Sequence, residues 1–335
     1  MDENDSVLSH QTQIVSELVS YYSEVTVITG RVGKFKKHTN LRVISSEWAD
    51  GENFRNAMRF LRKSIPILIR QRPQVIFSHM TEVQSFLISI VTFLLRIKHF
   101  LWYAHTSKSF YLQWNHIFLD GIITSTEGSC PIKSVKIHTI GQAVDSKQFP
   151  LRALDNLKLK KFVHIGRFDS SKNISWIIRE VEIARKGTPS IQLTLIGSPS
   201  NSKEQESALL VLANSKLAVL NGWLNFKNSI PRREVPKILN GNDAFIHAYR
   251  GSLDKTLIEA TLIGLPVVTV NLEYQREFGI WGKSSKLQNT LSGQIQYLNS
   301  LSAKVLASEL KIRRDIAVEK HSLHKWIEKI IQILH

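Results

Sequence analysis

The chain has 335 residues, 43% hydrophobic and 21% charged. That composition excludes a disordered or low-complexity polymer, and the length suits about two domains. A single cysteine, Cys130, excludes an intrachain disulfide framework and a cysteine-rich metal site; it reads as a small buried hydrophobe and fits a reducing, cytoplasmic compartment. The net charge of +16, from 44 basic and 28 acidic residues, points to phosphates, nucleic acid or an anionic membrane surface, with a plain solvated basic surface as the alternative.

The start, Met1 to Ser9, is acidic and polar rather than basic and then apolar, so it is not read as a secretory signal. A helix is expected from about Ser9 to Tyr22, then a β-branched strand at Val25–Thr29 ending on Gly30. A second helix pattern covers Asn53–Gln71, followed by a strand at Gln74–His79. The longest apolar run, Phe86–Leu95, is interrupted only by Ser89 and Thr92. It is too short to span a bilayer, which takes about 20 residues, and reads as a buried helix within Glu82–Ile97. Strands follow at Phe100–His105 and Gly121–Ser125.

The alternation then begins again. Strands are expected at Lys161–Gly166, Gln192–Ile196, Ala218–Leu220, Ala244–His247 and Pro266–Val270. Helices are expected at Ile174–Lys186, Ser202–Asn214, Arg233–Leu239 and Lys255–Ile263, with a further helical region from Lys304 to Leu334. Short apolar strands separated by helices predict parallel sheets covered on both faces. The expected architecture is α/β: two doubly wound, Rossmann-like domains facing each other across a cleft. An N-terminal domain spans 1–150 and a second domain 151–315. A C-terminal helix, 316–335, packs back toward the first. Pro150 and the polar stretch to Lys160 read as the linker. Ligands in such sheets sit beyond the carboxyl ends of the strands.

Two constellations carry chemistry. The first is His164-Ile165-Gly166-Arg167-Phe168-Asp169-Ser170-Ser171-Lys172-Asn173, between a strand and a helix. Gly166 permits a close backbone approach, the helix start offers free N–H groups, and Arg167 and Lys172 add two cations. Together they suit a diphosphate; a surface loop with two unrelated cations is the alternative. The second is Gly251-Ser252-Leu253-Asp254-Lys255-Thr256-Leu257-Ile258-Glu259-Ala260, followed by Gly264-Leu265-Pro266-Val267. Glu259 lies one turn beyond Lys255, so it can accept from ribose hydroxyls or simply form an i,i+4 surface pair with Lys255.

With these pieces in order, joined by Leu195-Ile196-Gly197, Gly222, Asp243-Ala244-Phe245-Ile246-His247 and the interdomain-like Gly141-Gln142-Ala143-Val144-Asp145 to Phe149, the chain resembles family 4 glycosyltransferases of the GT-B fold, the glycosyl transferases group 1. The resemblance covers most of residues 137–271 and runs more weakly through the N-terminal half. It implies a retaining, metal-independent hexosyltransferase-like enzyme with no cofactor. A nucleotide sugar would be the donor and a glycan or lipid-linked molecule the acceptor, in cell-surface polysaccharide or glycolipid synthesis. Arg167 and Lys172 would bind the donor diphosphate beside Gly166 and stabilise the leaving group. Glu259 would hold the ribose, and Gly197 with Gly222 and Trp223 would flank the base. Ser252, Leu253, Asp254 and Lys255 would meet the donor sugar. His105 would face donor sugar and acceptor, with His79 and His10 lining the acceptor side.

Two departures from the family pattern stand out. Its paired glutamates are incomplete, because Gly251 stands where the first would be. Its opening apolar strand is absent, since the chain begins in what reads as the following turn, Asp2 to His10. The basic loop Gly30–Lys37 and the cations Arg55, Arg59, Arg62 and Lys63 suit an anionic membrane on its inner face, or a solvated surface. The rival readings are a catalytically silent GT-B protein that binds a nucleotide sugar or a partner, and a GT-B epimerase or phosphorylase. A nucleic-acid binder lacks support: no helix-turn-helix, zinc or base-stacking signature accompanies the charge.

Overall fold

The computed structural model describes residues 1–3, 9–154, 157, 159–281 and 289–335. The expected Asp2–His10 turn and the linker up to Lys160 therefore lie partly outside the described residues. The chain forms two compact units: residues 1–143 with 323–335, and residues 144–322.

The first unit opens with α1 (His10–Leu18), which leads to β1 (Val25–Thr29) and β2 (Leu41–Ser45). After α2 (Asn53–Gln71) come β3 (Val75–His79), α3 (Glu82–Leu94), β4 (Lys98–Trp102), α4 (Phe110–Phe118), β5 (Gly121–Thr124) and β6 (Ile137–Thr139). Every strand pairing is parallel, as the alternation of strands and helices requires. The strands divide into a β1-β2 pair and a four-stranded ladder ordered β3-β4-β5-β6. No ladder among the described residues joins β1 to β3. Residues of β1 are all half-buried, whereas every residue of β5 is buried.

Helix α3 corrects an expectation. Phe86–Leu95 is not a buried helix: the residues of α3 that are buried are Ser85, Ile88, Ser89 and Thr92, while Ile90, Phe93 and Leu94 are exposed. The reason is a buried histidine beneath it. His99 Nε2 meets the hydroxyls of Ser78 (2.9 Å) and Ser85 (3.1 Å), and its Nδ1 meets Thr92 Oγ1 (3.2 Å). Burial lowers the His99 imidazole to about 3, so it is neutral and needs these partners. The hydroxyl-bearing side of α3 faces inward to satisfy it, and the aromatic side faces out. Cys130 is buried beside Leu112 and Leu119, and burial pushes its thiol up.

The second unit is a five-stranded parallel sheet ordered β11-β10-β7-β8-β9, made of β7 (Lys161–Ile165), β8 (Gln192–Ile196), β9 (Leu224–Lys227), β10 (Ala244–His247) and β11 (Val267–Thr269). Its helices are α5 (Ile174–Arg185), α6 (Ser202–Asn214), α7 (Lys216–Leu220), α8 (Val235–Asn240), α9 (Lys255–Ile263), α10 (Leu272–Phe278), α11 (Leu291–Ser300) and α12 (Ala303–His321). Strand side chains alternate between faces. Phe162, Leu193, Ile246 and Val268 pack with α5 and α11, and Val163, Phe245 and Val267 pack with α8, α9 and α10. The strand expected at Ala218–Leu220 is instead helix α7. Gly222, at φ +74°, turns the chain out of it, and the strand proper begins at Leu224.

The units divide at 143/144 and 322/323 rather than at 150 and 315. Helix α12 runs on to His321 within the second unit, and a parallel bridge ties Ser322 to Val144. Helix α13 (Leu323–Leu334) belongs to the first unit, where Trp326 packs against Trp102 (5.4 Å between rings) and Phe77 (6.1 Å). No described helix is long and apolar enough to cross a membrane.

Candidate functional site

In the second unit the polar residues gather at the carboxyl ends of β7, β8 and β10, where the backbone must turn sharply. Gly166 N–H donates to Ile196 O (3.0 Å) and Phe168 N–H to Ser198 O (3.1 Å), binding the β7 and β8 loops together. A Cβ at Gly197 would strike the Gly166 carbonyl and stand 2.9 Å from the Phe168 ring. Close backbone approach, not a positive φ, is what demands glycine here. Asp169 accepts from Ser200 N–H (3.0 Å) and braces the same loop, and Asn173, at φ +51°, turns the chain into α5.

The two cations of this loop differ. Arg167 is open, with its side chain 57% exposed and its guanidinium 3.3 Å from Asp169. Lys172 is buried: its ammonium lies 2.5 Å from Asp254 Oδ2 and 3.8 Å above the Tyr249 ring. His247, at the end of β10, donates from Nε2 to the same carboxylate oxygen (2.9 Å). Burial acts to raise the Asp254 carboxyl, but the His247 hydrogen bond and the Lys172 charge outweigh it and hold it well below the usual carboxylate range. Burial lowers His247 too, which keeps it a neutral donor. Next to it His164 is wholly buried, and burial with the neighbouring His247 takes it down to about 3. Its Nδ1 meets Ile246 O (3.0 Å), while its buried Nε2 has no hydrogen-bond partner.

The 249–259 segment wraps the other side. A Cβ at Gly251 would run into the hydroxyl and ring of Tyr249. The space where a side chain at 251 would begin is therefore filled by Tyr249, itself set beneath Lys172. Asn271 clamps this turn: its Nδ2 donates to the carbonyls of Tyr249 (3.0 Å), Gly251 (3.0 Å) and Ser252 (3.2 Å). Ser252 and Leu253 are buried. Glu259 is fully buried on α9 and paired with Arg232, from the loop after β9, so it is not a residue of the surface. Burial lowers the Arg232 guanidinium to about 10, still charged at neutral pH. Burial and the Arg232 charge pull the Lys255 ammonium well below the ordinary lysine range.

The structure thus brings Lys172 and Asp254 together across 82 positions, and the sequence reading placed both at the site. Gly222 and Trp223 are a correction. They lie at the amino end of β9, where Leu193 N–H, at the start of β8, donates to Trp223 O (2.7 Å). In a parallel sheet that is the end opposite Gly197, about 15 Å away at 3.3 Å per residue, so the two cannot flank one base with Gly197. Trp223 is buried in the core, under the Arg185 guanidinium. The residues that do reach the Gly197 end are those after β9, where Ser229 N–H donates to Ser198 Oγ (3.2 Å). Sequence reading missed the parts played by His247, Tyr249, Arg232 and Asn271. The available signal was a histidine closing an otherwise apolar strand.

In the first unit His79 ends β3 and His105 lies three residues beyond β4. His79 stacks on Trp102 (6.0 Å), contacts His10 edge-on (6.1 Å) and meets Gln11 Nε2 through Nδ1 (3.2 Å). His105 is exposed and packs edge-on against Tyr103 (6.0 Å). All three thus stand at the carboxyl end of the four-stranded ladder.

Residues 159–286, which hold every second-unit residue of the candidate site, match the family model described as Glycosyl transferases group 1. No curated protein matches the chain by sequence. Among solved structures, Anabaena HepE in complex with UDP and glucose is similar over 99% of this chain and 98% of its own, with a TM-score of 0.74 at 15% identity. Sucrose-phosphate synthase from Thermosynechococcus elongatus is similar over 97% and 91%, with a TM-score of 0.72 at 15% identity. A glycosyltransferase from Rickettsia africae is similar over 100% and 96%, with a TM-score of 0.70 at 14% identity. The likeness to group 1 glycosyltransferases holds over the matched segment, and the GT-B fold holds over the whole chain.

Proposed function

We propose that the chain is a retaining glycosyltransferase whose second unit binds a nucleoside-diphosphate sugar without a metal ion and passes the sugar to a glycan or lipid-linked acceptor held by the first unit. The observation that carries this reading is the Lys172–Asp254–His247 cluster under the Gly166–Arg167 loop, within the matched segment. Two cations at the head of α5 suit a diphosphate. Arg167 is the open one and can take an incoming phosphate directly, while Lys172 is held in place by Asp254 and Tyr249. The sugar–phosphate bond breaks toward these cations, and the acceptor hydroxyl attacks from the same face of the ring, giving its proton to the departing phosphate oxygen. The protein contributes charge stabilisation of the departing diphosphate and alignment of the acceptor. The Glu259–Arg232 pair suits the ribose, and the segment Gly197–Ser198 with Ser229 suits the base. His105 is assigned to the acceptor side, with His79 and His10. The setting is cell-surface polysaccharide or glycolipid synthesis in the cytoplasm, with the basic loop Gly30–Lys37 and the α2 cations turned to an anionic membrane.

A thermal-shift screen against UDP, GDP, ADP and their sugars, with and without a divalent ion, tests the donor site. One nucleoside diphosphate should stabilise the chain without metal. Lys172→Ala or Arg167→Ala should cut turnover by about a hundredfold or more. Near-normal turnover in both variants would sink the assignment.

One observation favours a second reading. With Tyr249 in the space ahead of Gly251, the missing glutamate is not simply replaced. A catalytically silent protein would bind the same diphosphate yet neither transfer nor hydrolyse the sugar.

A further inference from the structure

Helix α3 departs from the usual rule. Its buried side carries Ser85, Ser89 and Thr92 beside Ile88, with the Ser85 and Thr92 hydroxyls serving His99, while several of its large apolar side chains face away. Ile90, Phe93 (58% exposed) and Leu94 (72%) project from it, and α4, packed alongside, projects Phe110 (63%) and Ile117 (64%). Between the two helices the rings form a continuous chain. Phe86 contacts Phe110 (6.0 Å), Tyr111 (5.2 Å) and Trp114 (5.4 Å), Trp114 contacts Phe118 (4.8 Å), and Phe118 contacts Phe93 (5.8 Å). Over these two helices Glu82 is the one residue among Lys, Arg, Asp and Glu, and it is turned to Ser109 Oγ (2.9 Å). A contiguous uncharged, aromatic surface of this kind is not the ordinary face of a soluble domain.

On the other side of α3 packs α2, which has the opposite character. It carries Arg55, Arg59, Arg62, Lys63 and Arg70 and no acid. Arg55 and Arg59 are engaged by Glu52 just ahead of the helix, whereas no carboxylate among the described residues pairs with Arg62 or Lys63. Phe54, Met58 and Ile69 are exposed among these cations.

We infer that the outer surface of α2, α3 and α4 is a bilayer-docking face: the α3–α4 aromatics enter the boundary between headgroups and acyl chains, and the α2 cations hold anionic headgroups beside them. Aromatic side chains favour that boundary, and adjacent cations add the electrostatic attraction of an anionic leaflet. A second copy of the chain fits less well. A two-fold contact through the same patch would bring two copies of the α2 cations into one interface, with no acid on α2 to neutralise them. The inference deepens the membrane component of the proposed function; it adds a partner to the first unit and makes no use of the donor site.

Flotation of the full chain with phosphatidylcholine vesicles, with and without phosphatidylglycerol, tests it. Co-flotation is expected only with the anionic vesicles, together with a blue shift of tryptophan emission as Trp114 leaves water. The Phe93→Ser/Phe110→Ser double variant, which alters exposed side chains, should bind at least about tenfold less. Phe93→Trp/Phe110→Trp should restore binding. The nucleoside-diphosphate thermal shift, read on the same samples, should be unchanged throughout, so that failure of the donor assignment shows separately. Equal flotation of the Ser double variant would leave only charge attraction and overturn the inference. So would absence of flotation, or a concentration-dependent dimer that the double variant abolishes.

Discussion

The two units solve the same problem, a parallel sheet with helices, in opposite ways. In the second unit the strands β10 and β11 are buried along their whole length, both faces are apolar, and polar groups collect at one end of the sheet. In the first unit β1 is half-buried throughout, the buried histidine sits near the amino end of β4 under the α3 hydroxyls rather than at the carboxyl end, and apolar rings are displaced to the outer face of α3. The two units therefore differ in where they can be altered. The second unit tolerates little inside the sheet and has concentrated its chemistry where the backbone turns. The first has placed polar satisfaction in its core and its apolar surface outside.

Substitutions at glycine probe the contrast most strongly. Gly197→Val should destabilise the second unit by about 3 kcal/mol or more, because the Gly166 carbonyl and Phe168 ring leave no room for a Cβ. Gly51→Ala in the first unit meets nothing within 4 Å and strains only its φ of +80°, a cost of about 1 kcal/mol. Urea midpoints of both variants would compare them; equal losses would break the contrast.

Acid gives an effect shared by both units. The folded-state values of His99 and His164, about 3 for each, lie below the ordinary 6.5. The unfolded chain therefore binds protons that the folded one refuses. The stability held by each histidine is complete above about pH 6.5 and is lost as pH falls toward about 3. At about pH 5 each should cost roughly 30-fold in the folding equilibrium of its own unit. A flat urea midpoint between about pH 7 and pH 5 would refute this burial.

Asn271→Ala should have a smaller effect, about 1–2 kcal/mol, by releasing three carbonyls of the 249–252 turn. Its sharper signature is local. Amide exchange around Ser252 should quicken, and the nucleoside-diphosphate thermal shift should shrink, while His99 and its surroundings stay unchanged.

Much of the second unit was legible because glycine, proline and asparagine punctuate it. Gln192–Ile196, Ala244–His247, Ser202–Asn214 and Lys255–Ile263 were read with the bounds that the structure gives them. The error at Ala218–Leu220 arose because three apolar residues before Asn221-Gly222 fit a short strand and a final helical turn equally well. The first unit was harder. β2, β6 and α4 went unread; in α4 apolar and polar residues are mixed without a clean stripe to reveal its period. Helix α3 was recognised as a helix but read as buried, because its hydroxyls matter only once His99, on the next strand, is placed beneath them. At the site, the loop cations and the helix carrying Glu259 could be found from local pattern. The joining of Lys172 to Asp254, and of Arg232 to Glu259, could not, since each pair joins residues of separate loops or helices that only the folded sheet brings together.

The division of the chain has a consequence for how it comes into being on the ribosome. Residues 144–322 form one uninterrupted stretch, so the second unit has all its parts as soon as Ser322 has emerged. The first unit, though synthesised earlier, lacks Trp326 and the rest of α13 until then, and Phe77 and Trp102 stay without the ring that packs on them. Domains usually form in the order in which they are made. In this chain the order is reversed: the half that is translated first is the half that is finished last.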